Sequence, residues 1–388
     1  MALTTLPTAA FASGSVGTTQ LADGAVTTEK MKADVNFRNL IINGNMSIDQ
    51  RNSGSAVTGI SNTSNYIPDR FQIRVDGSGS GRMTGQQVTD APTNFKNSLK
   101  ITVTTTDASP TASEGYAVRQ SIEGQNITQL NFGTANAQSI TVSFYVKSSL
   151  TGDFSLNIGN GSSNRWYGAL YTINTADTWE RKTVTISGDT TGTWSSDNSS
   201  GLVLIFGLGG GSSRTVTPDT WQTGSGTQTF TTGATNLFAT SSATWQVTGV
   251  QLEVGTSASD FEFLPYDVNL QRCMRYFETL AGGNAVIGYG YGSGSDTART
   301  MWQFKVQKRT TPSMSDSYST SRQYRINFTA TDGTAVNQNS SNTPGFGNIT
   351  ISNSGYMNLS GFSSIGGGHN GFLIYNNSTT LLSADAEL

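Results

Sequence analysis

Histidine and cysteine each occur once in these 388 residues, as His369 and Cys273. A lone cysteine makes no intrachain disulfide, so stability must come from burial and association, and its ordinary setting is a small buried apolar site. A lone histidine rules out a histidine-rich metal centre and any mechanism that needs two imidazoles. Charge is sparse too: 23 Lys and Arg against 26 Asp and Glu give a formal net charge of −3, with charged residues at 13%. Phosphate binding draws its affinity from clustered Lys and Arg, so nucleic acid is not an expected partner. The longest apolar run, residues 202–206 (LVLIF), falls far short of the ~20 residues of a membrane helix, and membrane insertion is not expected. No Lys or Arg precedes Lys30, so the Ala-Phe-Ala at 10–12 lacks the charged front of a secretory signal.

Catalytic patterns are scarce as well. There is no Gly-x-Ser-x-Gly elbow, and His369 sits in a glycine turn with no recognisable Ser or Cys partner. Gly366, Gly368 and Gly371 match the spacing of a dinucleotide loop, but that loop opens a helix, whereas residues 372–375 read as a strand. Glycoside cleavage needs two carboxyl groups ~5 to ~9 Å apart; the closest alternating pair is Asp260 and Glu262, for which a structural role is expected. The expectation is a non-enzyme. No EF-hand is present, and a structural calcium site built from carbonyls and separated carboxylates leaves no linear pattern, so the cofactor question stays open.

What is abundant is glycine, at 44 residues, with Ser, Thr and Asn around a 35% apolar fraction. That composition suits short strands joined by many turns. In residues 141–147 Val142, Phe144 and Val146 alternate with Thr141, Ser143, Tyr145 and Lys147, the pattern of a half-buried antiparallel strand. Residues 179–186 and 245–254 behave alike, with Trp179 and Trp245 expected to be buried, and 202–206 suits a central strand. Gly, Asn, Asp and Ser clusters at 159–164, 197–201 and 209–213 separate them as turns. The fold class is therefore all-β, two packed antiparallel sheets. One helix interrupts the pattern: Asp267 as cap, Leu270, Met274 and Phe277 at helical spacing, Gly282 and Gly283 as stop. Strands return at 300–306, 323–329, 348–351 and 371–375.

Residues 39–51 (NLIINGNMSIDQR) and 245–277 (WQVTGVQLEVGTSASDFEFLPYDVNLQRCMRYF) bracket one unit, with YIPDRF at 66–71, RQSIEGQN at 119–126, SFYVKSSLTG at 143–152 and GDTTGTW at 188–194 between them. Together they resemble, in order, a β-sandwich domain of bacteriophage tail fibres and tail-associated adhesion proteins. The resemblance spans roughly 39–277 and implies a jelly-roll-like, carbohydrate-binding-type module without chemistry of its own. Four segments follow: 1–37 for virion attachment and oligomerisation, 38–266 for the sandwich, 267–283 for a linker helix and 284–388 for a smaller C-terminal β tip ending in a short acidic tail. Within the first, VGTTQLADGA and VTTEKM echo each other with Val16 and Val26 ten residues apart. Such a segment orders only by winding with copies of itself or docking on a partner, or else stays a disordered tail.

The implied partners are further copies of the chain as a homotrimer, a tail adaptor, nozzle or other tail protein at the N-terminus, and host surface polysaccharide or lipopolysaccharide. The implied location is the virion tail after synthesis in the host cytoplasm. Sugars are held by aromatic faces and arrays of small polar groups, and the chain has 13 Tyr and 6 Trp. The candidate contacts are Tyr289 and Tyr291 in GYGYGSGS, whose glycines leave the rings little to bury against, together with His369, Trp166 and Tyr167 after GNGSSN, and Trp194 after GDTTGT. A solvent-exposed turn or a contact between chains is the alternative for each tip residue. A purely structural particle component, such as a connector or capsid decoration, is the alternative for the whole chain, and a polysaccharide depolymerase a further one.

Overall fold

The computed structural model describes residues 37–61, 64–281, 285–292, 296–316, 324–329, 335–339, 345–347, 354–362, 370–376 and 382–388. The echo at Val16 and Val26, the expected strand at 348–351, the Gly366 and Gly368 match and His369 lie outside the described residues.

The first strands are β1 (Val57–Ile60), β2 (Ser64–Tyr66), β3 (Gln72–Asp76), β4 (Arg82–Val88), β5 (Ser98–Thr105), β6 (Gly115–Glu123), β7 (Ile140–Ser148) and β8 (Gly152–Asn160). Next come β9 (Arg165–Ile173), β10 (Glu180–Ile186), β11 (Ser200–Gly210), β12 (Thr215–Val216), β13 (Trp221–Thr223), β14 (Phe230–Thr231) and β15 (Thr244–Val254). Six of them form one sheet, β1-β4-β5-β15-β7-β10, and seven the other, β13-β9-β8-β11-β6-β3-β2. Alternation along each strand sends one side of each sheet inward. Val142, Phe144 and Val146 of β7 meet Leu202, Leu204 and Phe206 of β11 in the main core, with Phe144 packed edge-on to Phe206 at 5.0 Å and to Tyr171 at 4.9 Å.

The apolar run at 202–206 belongs to β11, the middle strand of its sheet, and it is unbroken because both of its faces are covered. Val203 and Ile205 point away from the main core into a second cluster with Ala117, Trp166 and Val216, roofed by the parallel pair β12 and β14. The opening and closing segments of the unit meet. Leu40 N donates to Leu252 O at 2.9 Å, and the Asn39 side chain donates to Val250 O at 3.1 Å while accepting from Leu252 N at 3.1 Å. Gly44 is required there, since a Cβ would lie 2.0 Å from Val250 O.

The helix α1 runs Tyr266–Met274. Pro265 rather than Asp267 occupies the position before its first turn, and no side chain caps it; Asp267 sits inside that turn, where its charge suits the helix N-terminus. Nor do Gly282 and Gly283 stop it. Arg275 closes the helix through bonds to Gln271 O and Cys273 O, because the chain is needed at once as β16 (Phe277–Ala281). Cys273 is fully buried, and burial pushes its thiol well up.

The C-terminal unit contains β17 (Ala285–Gly292), β18 (Ala298–Gln303), β19 (Ser313–Asp316), β20 (Tyr324–Thr329) and β21 (Ala335–Asn339). It continues through β22 (Gly345–Gly347), β23 (Ser354–Leu359), β24 (Asn370–Asn376) and β25 (Leu382–Asp385). Seven strands make its main sheet, β21-β20-β24-β17-β18-β23-β22, and β16-β25-β19 make a three-stranded sheet at its root. The acidic tail thus returns to pair with the strand by which the chain left the sandwich.

That root is docked by charge. Arg70, only 1% exposed, forms an ion pair with Glu387, and its guanidinium lies 3.4 Å from the Tyr276 ring centre. Arg51 reaches Asp385 at 3.0 Å and Glu387 at 3.3 Å. Arg309 donates to Ala386 O at 2.9 Å and to Asn198 O in the sandwich at 3.1 Å. Lys308 and Glu278 pair at 2.5 Å in full burial.

Candidate functional site

Antiparallel pairing places Tyr291 of β17 opposite Arg299 of β18, and Arg299 opposite Asn358 of β23. Residues directly opposed in antiparallel strands share a face, so these three form a row across the tip sheet. Tyr289, two residues along β17, shares the face at a spacing of roughly 7 Å. The opposite face is closed, with Ala298, Thr300, Met357 and Leu359 buried. Tyr289 is 74% exposed and Tyr291 42%. Arg299 Nε donates to Asn358 Oδ1 at 2.8 Å, and Thr300 Oγ1 donates to the Tyr289 carbonyl at 3.0 Å, holding β17 in place. The result is a flat surface of two aromatic rings beside a guanidinium and an amide, mounted on a sheet. It can stack against C–H surfaces and exchange hydrogen bonds with hydroxyls. The glycines of GYGYGSGS do leave these rings uncovered, but three of them, Gly288, Gly290 and Gly292, lie within a strand.

The sandwich candidates divide. Trp166 is not at a loop edge: it lies in β9, is fully buried, and packs with Val203, Ile205 and Val216 on the outer side of the seven-stranded sheet. Its indole N–H donates to Ser163 O at 3.2 Å. Tyr167 and Trp194, both partly exposed, are brought together by Trp221, 5.4 Å from Tyr167 and 5.7 Å from Trp194 between ring centres. Phe132 completes the group 4.8 Å from Trp194. These rings meet largely edge to face and close the sheet edge at β13, so their faces are mostly spent on one another. Trp221 carried no signal in the sequence, since it pairs with β9 only through a three-residue edge strand.

Trp179 is also not where the alternation suggests. It is only partly buried and precedes β10 on the outward side with Arg181, while Val184 and Ile186 turn inward. Its indole N–H donates to Asp90 Oδ1 at 3.3 Å. Trp245, by contrast, is fully buried as expected, donating to the Tyr171 hydroxyl at 3.1 Å. Among the described residues no group of three or more His, Cys, Asp or Glu is arranged to hold a metal ion, and no helix is long and apolar enough to cross a membrane.

Fold and surface together define a jelly-roll-like β-sandwich that carries a second, smaller β unit. No family model matches the chain, and no curated protein matches it. Among solved structures, the chain is similar to the enzymatically active domain of tailspike protein 4 of bacteriophage CBA120 at 11% identity and a TM-score of 0.27, covering 56% of this chain and 22% of that one. The chain therefore spans about a fifth of that tailspike chain. It is also similar to the CBM22-1 xylan-binding domain of Paenibacillus barcinonensis Xyn10C, at 12% identity and TM-score 0.24 over 53% of this chain and 97% of that one. A sugar binding protein from Bacteroides thetaiotaomicron matches at 12% identity and TM-score 0.31 over 56% of this chain and all of the other.

Proposed function

We propose that this chain is a virion tail protein, a phage tail fibre that attaches to host surface glycans by multivalent, non-catalytic binding. The observation that carries the reading is the exposed pair Tyr289 and Tyr291 beside the Arg299 to Asn358 hydrogen bond on one face of the tip sheet. The phage assignment rests on the ordered resemblance of residues 39–277. Weak contacts repeated on several copies raise avidity by ~10² to ~10⁴ where geometry allows simultaneous engagement, so no single site has to be tight. Copies of the chain, a tail partner at the N-terminus and host polysaccharide or lipopolysaccharide are the partners this reading requires.

The test uses the full-length chain, labelled and applied to a panel of bacterial strains beside its Tyr289→Ala/Tyr291→Ala variant. Adsorption to some strains that is lost in the variant, with no oligosaccharide released into the medium, is the expected result. Adsorption unchanged in the variant would move recognition away from the tip. No adsorption to any strain would favour a purely structural particle component.

A further inference from the structure

Trp179 poses a question that the tip does not answer. A tryptophan placed for packing would face the core, as Trp245 does on β15. Trp179 instead stands on the outer side of the six-stranded sheet, partly open to solvent and held there by polar groups. Asp90 accepts its indole N–H at 3.3 Å and forms an ion pair with Lys147. The Lys147 ammonium lies 5.3 Å from the centre of the Trp179 ring. Gln246 donates to the other Asp90 oxygen at 3.3 Å, and Ser98 Oγ lies 2.6 Å from the Asp90 carbonyl and 3.2 Å from Gln246 Oε1. Gln246 is 3% exposed and Ser98 fully buried. The ring is thus fixed by a network rooted in two strands, β5 and β15, rather than resting on the surface.

We propose that this outer face carries a second saccharide-binding surface, centred on Trp179 with Asp90 and Lys147, that takes a neutral hexose unit of a polysaccharide. The inference rests on the reading of the chain as a glycan binder but assigns a site in a different module. The chemistry is complementary: an indole face for the apolar C–H side of a pyranose, a carboxylate to accept from hydroxyls and an ammonium to donate to them. The Asp90 side chain is 49% exposed, so it can still receive hydroxyl donors from outside. Its ion pair cancels the Lys147 charge, which favours a neutral sugar over an anionic one. Tyr145, opposite Arg181 in the β7 to β10 pairing, extends the same face by one row, its ring packed on one side by Phe95 at 5.3 Å. Because the fixed ring has little rotamer freedom left to lose, binding needs little further ordering. Two sites on one chain would add intramolecular avidity to that between copies.

Four full-length proteins separate the two sites: wild type, Trp179→Ala, Tyr289→Ala/Tyr291→Ala, and the triple variant. Each is mixed with neutral gluco-, manno- and galacto-oligosaccharides and followed by saturation-transfer NMR, with Trp179→Phe as a stacking rescue and matched melting temperatures as the folding control. The expected result is that the tip double variant still transfers saturation to hexose C–H protons, and that the triple variant loses at least ~90% of that signal. Trp179→Ala alone should keep whatever the tip binds. A tip double variant that binds nothing the wild type binds would overturn the Trp179 site and leave the tip reading intact. A triple variant as competent as the tip double variant would overturn the Trp179 site as well, and a wild type that binds no oligosaccharide would overturn both.

Discussion

At the scale of single residues, the same side chain means different things on the two faces of a strand. Tyr289 and Tyr291 stand free on the tip sheet, so truncation should alter binding and leave folding alone. Each alanine substitution is expected to weaken adsorption by about 1 kcal/mol or more, the cost of removing an aromatic anchor, with the melting temperature unmoved. Trp166 should do the reverse. Fully buried against Val203, Ile205 and Val216, it should cost roughly 3–5 kcal/mol when cut to alanine, read as a lower urea midpoint, while the folded fraction binds normally. Period two shows that Trp166 and Tyr167 point to opposite sides, but not which side is roofed. The roof over Trp166 comes from Val216, some fifty residues further on, and nothing local announces it. Trp179 departs from the expected burial for a related reason: alternation from Glu180 to Ile186 is genuine, and the tryptophan simply belongs to its outward set.

At the scale of elements, what was legible is what depends on neighbours in sequence. The alternation of β7 and the unbroken run of β11 are local consequences of one covered face or two, and both appear where the pattern puts them. The end of α1 was not legible, because Phe277 continues the helical spacing while its backbone is claimed by pairing with Asp385 in β25, more than a hundred residues away. Asp69 illustrates how such long-range assembly perturbs chemistry. It accepts from Gln50 N at 3.1 Å and Gln50 Nε2 at 2.6 Å, and lies 3.6 Å from Arg51. Burial nevertheless pushes its carboxyl up to about 7, with Arg51 and Gln50 only partly offsetting that. An unfolded aspartate titrates near ~3.9, so between about 4 and 7 the folded chain holds a proton that the unfolded chain has released. Stability from this group is therefore fullest below the unfolded value and falls as pH rises to about 7, at up to ~1.4 kcal/mol per pH unit. Denaturant melts at a series of pH values should show this decline in wild type and lose it in Asp69→Asn; equal slopes in the two proteins would sink the assignment.

At the scale of the whole molecule, the tip is not a free appendage of the sandwich. The chain enters the sandwich alongside α1, with Asn43 N donating to Asn269 Oδ1 at 3.2 Å and Arg272 donating to Asn39 O at 3.3 Å. The same helix delivers the chain to β16 and the tip, so arrival and departure share one side of the sandwich. The tip is held there by the returning tail, through Arg70 paired with Glu387 and Arg51 with Asp385 and Glu387. Removing one partner of a buried ion pair leaves the other charge uncompensated and costs roughly 3–5 kcal/mol, so Glu387→Ala is the substitution that most directly tests the docking. Wild type should unfold in one calorimetric transition spanning sandwich and tip, and Glu387→Ala should split it in two. Adsorption should also weaken although Tyr289 and Tyr291 are untouched, because a loosened tip must be ordered again at each contact. Cutting the chain after Thr279 would answer less, since it would strip Arg70 of its counter-charge and remove the binding face together. Two independent transitions already present in wild type would mean that the charges at the root contribute nothing to holding the units together, and that the tip's orientation has to be set from outside the chain.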